Sequence, residues 1–217
     1  MRLFLSSYRF GTAAESFVRL VREPGRIAVI ANAADAWPST ARAAAVTSEM
    51  APLRSLGFAP EELDLRDHLG DPGSLRERLE EFPSVWVRGG NTFVLRAQLA
   101  RSGGDAVLTE LVREDRLVYG GYSAGACVVT PSLRGIEFSD DPADVATACG
   151  TAVVWDGLGW IDRVIVPHAG ASALADDGIS QTLAFLREHD IDHVALTDDD
   201  VLVVDTEHGD PAGTVDP

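Results

Sequence analysis

Ser123 stands in the stretch GGYSAGACVV, Gly120 to Val129, between a strand-like run and a helix-like run. Gly121 and Gly125 flank it in the G-x-S-x-G spacing. In that pattern a strand turns sharply into a helix and lifts a serine hydroxyl clear of its neighbours. The next amide, that of Ala124, is then free to hold an oxyanion. The same residues also suit an ordinary tight turn in a buried sheet, so this stretch alone leaves both readings open. Cys127 is a second candidate nucleophile. It lies one helical turn on, where its side chain is expected to face the core, away from the elbow.

Two further segments bear on the choice. Arg88-Gly89-Gly90-Asn91-Thr92 places two glycines after a strand and before a helix. That arrangement lets backbone approach a ligand and offers amides for a second oxyanion contact, although Asn91 also suits a plain helix N-cap. His168 follows an apolar strand in VIVPHAG. The other histidines, His68, His189, His193 and His208, lie in charged surroundings. A serine nucleophile needs a base, and the base needs a group that orients it and stabilises imidazolium. The acidic turn after Leu196 offers Asp198, Asp199 and Asp200. Asp140, Asp141 and Asp144 are rivals, and spacing does not choose among them.

Composition narrows the field. The chain has 217 residues, 46% hydrophobic and 24% charged, which suits one globular domain with a sizeable core. The formal net charge of −16 argues against nucleic-acid binding. All 18 basic residues are Arg, which excludes lysine Schiff-base chemistry and a P-loop lysine. Two cysteines, Cys127 and Cys149, are too few for a disulfide framework or a Cys-rich zinc site, and both are expected reduced and buried. No metal-ligand spacing is present, so neither metal nor cofactor is expected. No run is long enough for a membrane helix, and the N-terminus lacks the apolar core of a signal peptide. A cytoplasmic location is therefore expected, with no membrane partner.

The elements that must position these residues alternate. Strands are expected at Arg26–Ala33, Glu62–Arg66, Val85–Val87, Leu117–Tyr122, Ala152–Trp155, Arg163–Val166, His193–Leu196 and Val201–Asp205. Helices are expected from Pro38 to about Leu56 and over Ser74–Phe82, Asn91–Ala100, Asp105–Glu114 and Ser172–Glu188, with another starting at Ala124. Arg134–Ala148 reads as an acidic surface loop or lid, and the tail from Gly209 as frayed. This pattern predicts a single α/β domain over residues 1–217, with a mostly parallel central sheet and helices on both faces. In such sheets ligands gather beyond the carboxyl ends of the strands, where each motif above falls.

Taken together, RGGNTFVLRAQL, GGYSAGACVVTPSLR, SDDP, VPH and LTDD, in that order, resemble the aspartyl dipeptidase (dipeptidase E) and cyanophycinase family of serine peptidases. The resemblance implies a class I glutamine amidotransferase-like fold with serine in place of the nucleophilic cysteine. It places the nucleophile on Ser123, the base on His168 and the oxyanion-hole amides on Gly90 and Ala124. The family's late acid falls on Asp198, where dipeptidase E carries glutamate. Aspartate is shorter by one methylene, so the histidine must sit closer. Asp140, in the family's acidic loop, is the alternative third member. Aspartyl dipeptidases also carry basic residues after the histidine, whereas Ala169–Leu186 here contains no Arg. Arg134, and after it Arg88, are the remaining candidates to hold a substrate carboxylate. Asn91 and Asp140 are the other expected substrate contacts.

The expectation is thus a serine-type dipeptidase or short-peptide hydrolase acting through an acyl-enzyme, with a short peptide as partner. A homodimer is compatible with it. An esterase or non-peptide amidase on the same triad, and a catalytically silent binding protein on the same scaffold, are the alternatives.

Overall fold

A computed structural model describes residues 1–170, 177–206 and 210–216. Its centre is a seven-stranded sheet in the order β3-β2-β4-β5-β1-β8-β9. The strands are β1 (Arg2–Ser6), β2 (Arg26–Ile30), β3 (Ala59–Glu62), β4 (Ser84–Val87), β5 (Val118–Tyr122), β8 (Val201–Asp205) and β9 (Asp210–Asp216). The first five run parallel; β8 is antiparallel to β1, and β9 antiparallel to β8. A separate parallel pair joins β6 (Val164–Val166) to β7 (His193–Ala195).

Burial on both faces explains the apolar runs. In β2 and β4 successive side chains enter different cores. Val85 and Val87 pack with Ala28, Ile30 and Tyr119 under α3 (Pro72–Leu79), α4 (Thr92–Ser102) and α5 (Gly104–Arg113). Trp86, Ile27 and Val29 pack on the opposite face with Phe17 of α1 (Ala14–Val21) and Leu53 of α2 (Ser39–Ser55). The four-residue α6 (Ala124–Cys127), α7 (Asp144–Cys149) and α8 (Asp177–Glu188) complete the chain. No helix among the described residues is long and apolar enough to cross a membrane.

The mostly parallel sheet with helices on both faces is as the alternation predicts, but several segments differ. Arg2–Ser6 is a fully buried strand that the pattern did not mark. The strand expected at Glu62–Arg66 is displaced to Ala59–Glu62, because Asp64 accepts from the Arg66 amide and turns Leu65–His68 into a 3-10 helix. Pro60 is tolerated in β3 because this is an edge strand. Ala152–Trp155 forms no strand, and only an isolated bridge joins Ser132 to Asp156 nearby. His193–Ala195 and Val201–Asp205 lie in different sheets. The acidic segment Arg134–Ala148 is not a bare loop, since it holds a 3-10 turn (Ile136–Phe138) and the start of α7. Of the helix expected over Ser172–Glu188, residues 172–176 lie outside the described residues. Of the tail expected to fray, Asp210–Asp216 pairs with β8 instead, while Gly209 and Pro217 lie outside the described residues.

β5 carries two glycines in its middle because its neighbours leave no room. A Cβ on Gly120 would sit 2.6 Å from Trp86 Cε3 and 2.7 Å from Phe17 Cε2. Both rings belong to the packed face. Gly120→Ala is therefore expected to lower stability by about 1–3 kcal/mol, the usual cost of overpacking. Urea unfolding checks this, and an unchanged midpoint would show that the rings move aside freely.

Candidate active site

Beyond the end of β5 the chain enters α6 through Ser123, whose φ of 51° and ψ of −116° lie in a region that non-glycine residues rarely occupy. Such backbone strain costs on the order of 1–3 kcal/mol and needs support from its surroundings. The Ser123 amide donates to Ser6 O at 3.0 Å, tying the elbow to β1, and its carbonyl accepts from the amides of Ala126 and Cys127, both at 2.8 Å. The flanking glycines are demanded by close approach. A Cβ on Gly121 would lie 2.7 Å from Gly125 O, and one on Gly125 would lie 2.3 Å from Val87 O.

His168, one residue beyond Pro167 at the end of β6, also has a positive φ, 60°. Its Nε2 lies 3.2 Å from Ser123 Oγ and its Nδ1 lies 2.6 Å from Asp198 Oδ1. With Nδ1–H donated to the carboxylate, Nε2 is the acceptor for the serine hydroxyl. Asp199 and Asp200 are not alternatives. The carboxylate at Nδ1 is that of Asp198, and the Asp200 carboxylate accepts from the Thr197 amide and hydroxyl, closing the turn. A residue that the sequence did not single out joins the cluster. Ser7 Oγ donates to Asp198 Oδ1 at 3.0 Å and accepts from the His168 amide at 2.7 Å. It thus ties the acid to the backbone of the histidine from the end of β1. Nothing in SSYRF distinguishes it; only the sheet order brings it there.

Of the two glycines after β4, Gly89 passes directly over the elbow and Gly90 is pressed against Ala33. A Cβ on Gly89 would be 2.9 Å from Ser123 Cβ, and one on Gly90, whose φ is 149°, would be 2.5 Å from Ala33 O. The chain therefore needs glycine at both positions to run this close. Among the described residues, neither the Gly90 amide nor the Ala124 amide donates to a protein acceptor.

A cavity of about 330 Å³, open mouth included, adjoins Ser123 and His168, with walls from Thr92, Ile136, Asp140, Val166 and Thr182. Asp140 accepts from the Thr92 amide at 2.8 Å. Burial pushes its carboxyl above the ordinary range, against the opposing effects of Thr92 and His168. Cys127 forms part of the floor. Its thiol approaches Ile165 O at 3.5 Å, and burial pushes its pKa well above the usual range, so it stays protonated.

Two expected substrate contacts are placed otherwise. Asn91 uses its side-chain oxygen to cap α4, accepting from Phe93 and Val94, and its amide to hold Asp141 O and Asp144 Oδ2. With donors and acceptor so engaged, it anchors the acidic segment rather than facing a ligand. Arg134 is exposed, lies outside the cavity wall and stacks its guanidinium over Trp155 at 4.0 Å. Arg88 turns away, with Nε toward Glu49 of α2.

Residues 9–210 match the sequence model of peptidase family S51. An uncharacterized peptidase of Listeria monocytogenes serovar 1/2a is 32% identical over 116 residues, covering 54% of this chain and 53% of its own. An uncharacterized peptidase of Pasteurella multocida is 28% identical over 108 residues, covering 50% of this chain and 49% of its own. The chain thus spans about half the length of the curated relatives it matches. Among solved structures, a candidate peptidase E protein from Listeria monocytogenes EGD-e superposes with a TM-score of 0.75 at 23% identity, covering 94% of this chain and 93% of its own. A peptidase from an acI-B1 actinobacterium gives 0.68 at 17% identity, covering 94% and 82%. These two likenesses show the fold.

Asp140 has a consequence for stability. Its folded-state pKa is raised, so between the ordinary carboxylate pKa and the raised one the native state binds the extra proton. Its contribution is most favourable at acid pH and declines as pH rises through the folded value. Asp140→Asn, which keeps an acceptor for the Thr92 amide, is expected to raise the melting temperature at pH 8 and to change it little at pH 4. Thermal denaturation at both values checks this; equal shifts at the two would refute it.

Proposed function

The chain belongs to peptidase family S51, and on that premise we propose that it is a serine peptidase of short peptides, using Ser123, His168 and Asp198 as its triad. The observation that carries this reading is the unbroken hydrogen-bonded line from Ser123 Oγ through the imidazole to Asp198 Oδ1. His168 Nε2 takes the hydroxyl proton as Ser123 attacks the amide carbon. The amides of Gly90 and Ala124 hold the oxygen as it becomes negative. His168 then protonates the leaving amine, and water releases the acyl group by the reverse proton path. Asp198 keeps the imidazole in the productive tautomer and stabilises its cation. Asp140 is the weaker third member, because its carboxylate bonds to the Thr92 amide and not to the ring.

The cavity speaks to substrate class. Its described wall has one carboxylate and no cation, and no Arg occurs from Ala169 to Leu186. A buried substrate carboxylate would have no partner there, whereas a free peptide amine would meet Asp140. The substrate proposed is therefore a dipeptide or short peptide with a neutral or basic N-terminal residue, rather than an aspartyl peptide.

A dipeptide panel tests both parts. Wild type is expected to cleave neutral and basic N-terminal residues faster than Asp. Ser123→Ala is expected to lose roughly 10⁴–10⁶-fold in kcat, Asp198→Asn about 10³–10⁴-fold, and Cys127→Ala almost nothing. Equal turnover by wild type and Ser123→Ala would sink the mechanism, and turnover of esters alone would move the reading to an esterase. A preference for Asp would remove the substrate class while leaving the triad.

A further inference from the structure

Behind the elbow, on the α2 side of the sheet, lies a buried carboxylate that the reaction does not use. Glu49 belongs to the buried face of α2 with Ala45, Val46 and Leu53, and is 2% exposed. The helix spacing calls for an apolar residue at such a position. An unpaired carboxylate there would be costly, and an apolar residue of similar volume in place of a buried charge pair is often as stable or more so. Packing alone therefore does not account for Glu49.

Its partners account for it better. Glu49 accepts from Tyr122 Oη at 2.8 Å, from Trp86 Nε1 at 3.0 Å and from Arg88 Nε at 3.3 Å. Tyr122 is the residue before Ser123. Arg88 is the residue before Gly89-Gly90, and its Nη1 donates to Gly89 O at 2.8 Å. One carboxylate thus grips the ends of β4 and β5 at the points where each delivers a segment to the site. Those two segments touch, since a Cβ on Gly89 would meet both Ser123 Cβ at 2.9 Å and Tyr122 Cε2 at 3.0 Å. With so little clearance, a slip of one strand end against the other would displace the Gly90 amide relative to Ser123. Misplacement on the order of 1 Å costs about a hundredfold in a reaction that depends on orientation.

We propose that Glu49 is a positioning residue that fixes the oxyanion-binding backbone after β4 against the nucleophile turn after β5. The proposal rests on the reading of Ser123 as nucleophile and of the Gly90 and Ala124 amides as its oxyanion donors. Glu49 touches no reacting atom. It acts through Tyr122 and Arg88, so its removal slows bond formation at Ser123 without weakening the first encounter with a ligand.

Inactivation by an alkyl fluorophosphonate separates these effects, because KI reports encounter and kinact reports attack by the serine. Glu49→Leu strips three donors of their acceptor and is expected to lower the melting temperature, but, assayed where it is fully folded, to keep KI within twofold and to lose at least tenfold in kinact. Glu49→Gln, which retains an acceptor for Tyr122 and Arg88, is expected to recover part of the loss. Unchanged kinact in Glu49→Leu, or a loss confined to KI, would overturn the proposal. If Glu49→Leu does not fold, Tyr122→Phe decides: it removes one bond to the carboxylate and is expected to lower kinact several-fold, and a wild-type value would overturn the proposal. The underlying reading fails differently. Absence of labelling in wild type, or labelling that persists in Ser123→Ala, would remove the nucleophile itself. Labelling specific to Ser123 with no effect of Glu49 would remove only the positioning role.

Discussion

The site depends on a backbone conformation that Ser123 would not adopt unaided. Its positive φ is held because β5 lies inside the sheet, between β4 and β1, and both neighbours press on the turn. β1 supplies the carbonyl of Ser6 for the Ser123 amide. β4 supplies Val87 O, against which only glycine fits at position 125. The half-buried serine is left facing the cavity because the rest of the turn is crowded, and every other element of the site is placed relative to that turn.

Sheet order explains how residues distant in sequence meet there. β1, β4 and β5 are parallel, so Ser7, Gly89-Gly90 and Ser123 all emerge at one rim. β8 reaches the same rim by the opposite route. It runs antiparallel to β1, with Val201 opposite Ser6, so the turn that precedes it arrives where β1 ends. Asp198 therefore needs no long excursion to face His168. The small β6–β7 pair does the same for the histidine, with the His168 side following β6 and the Leu196 side following β7. One mixed sheet and one two-stranded ribbon thus converge on Ser7, His168 and Asp198.

Much of this was legible in the sequence, and the gaps have physical causes. Glycines at fixed offsets from Ser123, the Gly89-Gly90 pair and Pro167-His168 carry backbone demands that only certain residues meet, so they show in one sequence. Ser7 does not, because a serine that bridges a carboxylate and a backbone amide is indistinguishable in sequence from one in a solvated loop. β1 escapes because RLFLS lacks the Val and Ile that mark most of the strands read from the sequence, and β9 because DPAGTVD has turn composition. Asn91 and Arg134 were placed by residue type, which gives charge and hydrogen-bonding capacity but not direction. In the fold one is spent on a helix cap and the acidic segment, the other on Trp155. Glu49 was invisible for the opposite reason, since a lone acid in an Ala-rich helix reads as surface until burial is known.

The central claim is that the turn at Ser123 and the glycines after β4 together form a preorganised site for an oxyanion. A crystal structure of the adduct with a small alkyl fluorophosphonate tests it most directly, because the tetrahedral phosphorus mimics the attacked carbon. The account predicts phosphorus bonded to Ser123 Oγ, with the phosphoryl oxygen about 2.7–3.1 Å from the amide nitrogens of both Gly90 and Ala124. A phosphoryl oxygen turned away from both amides, or an adduct on any other residue, would contradict it.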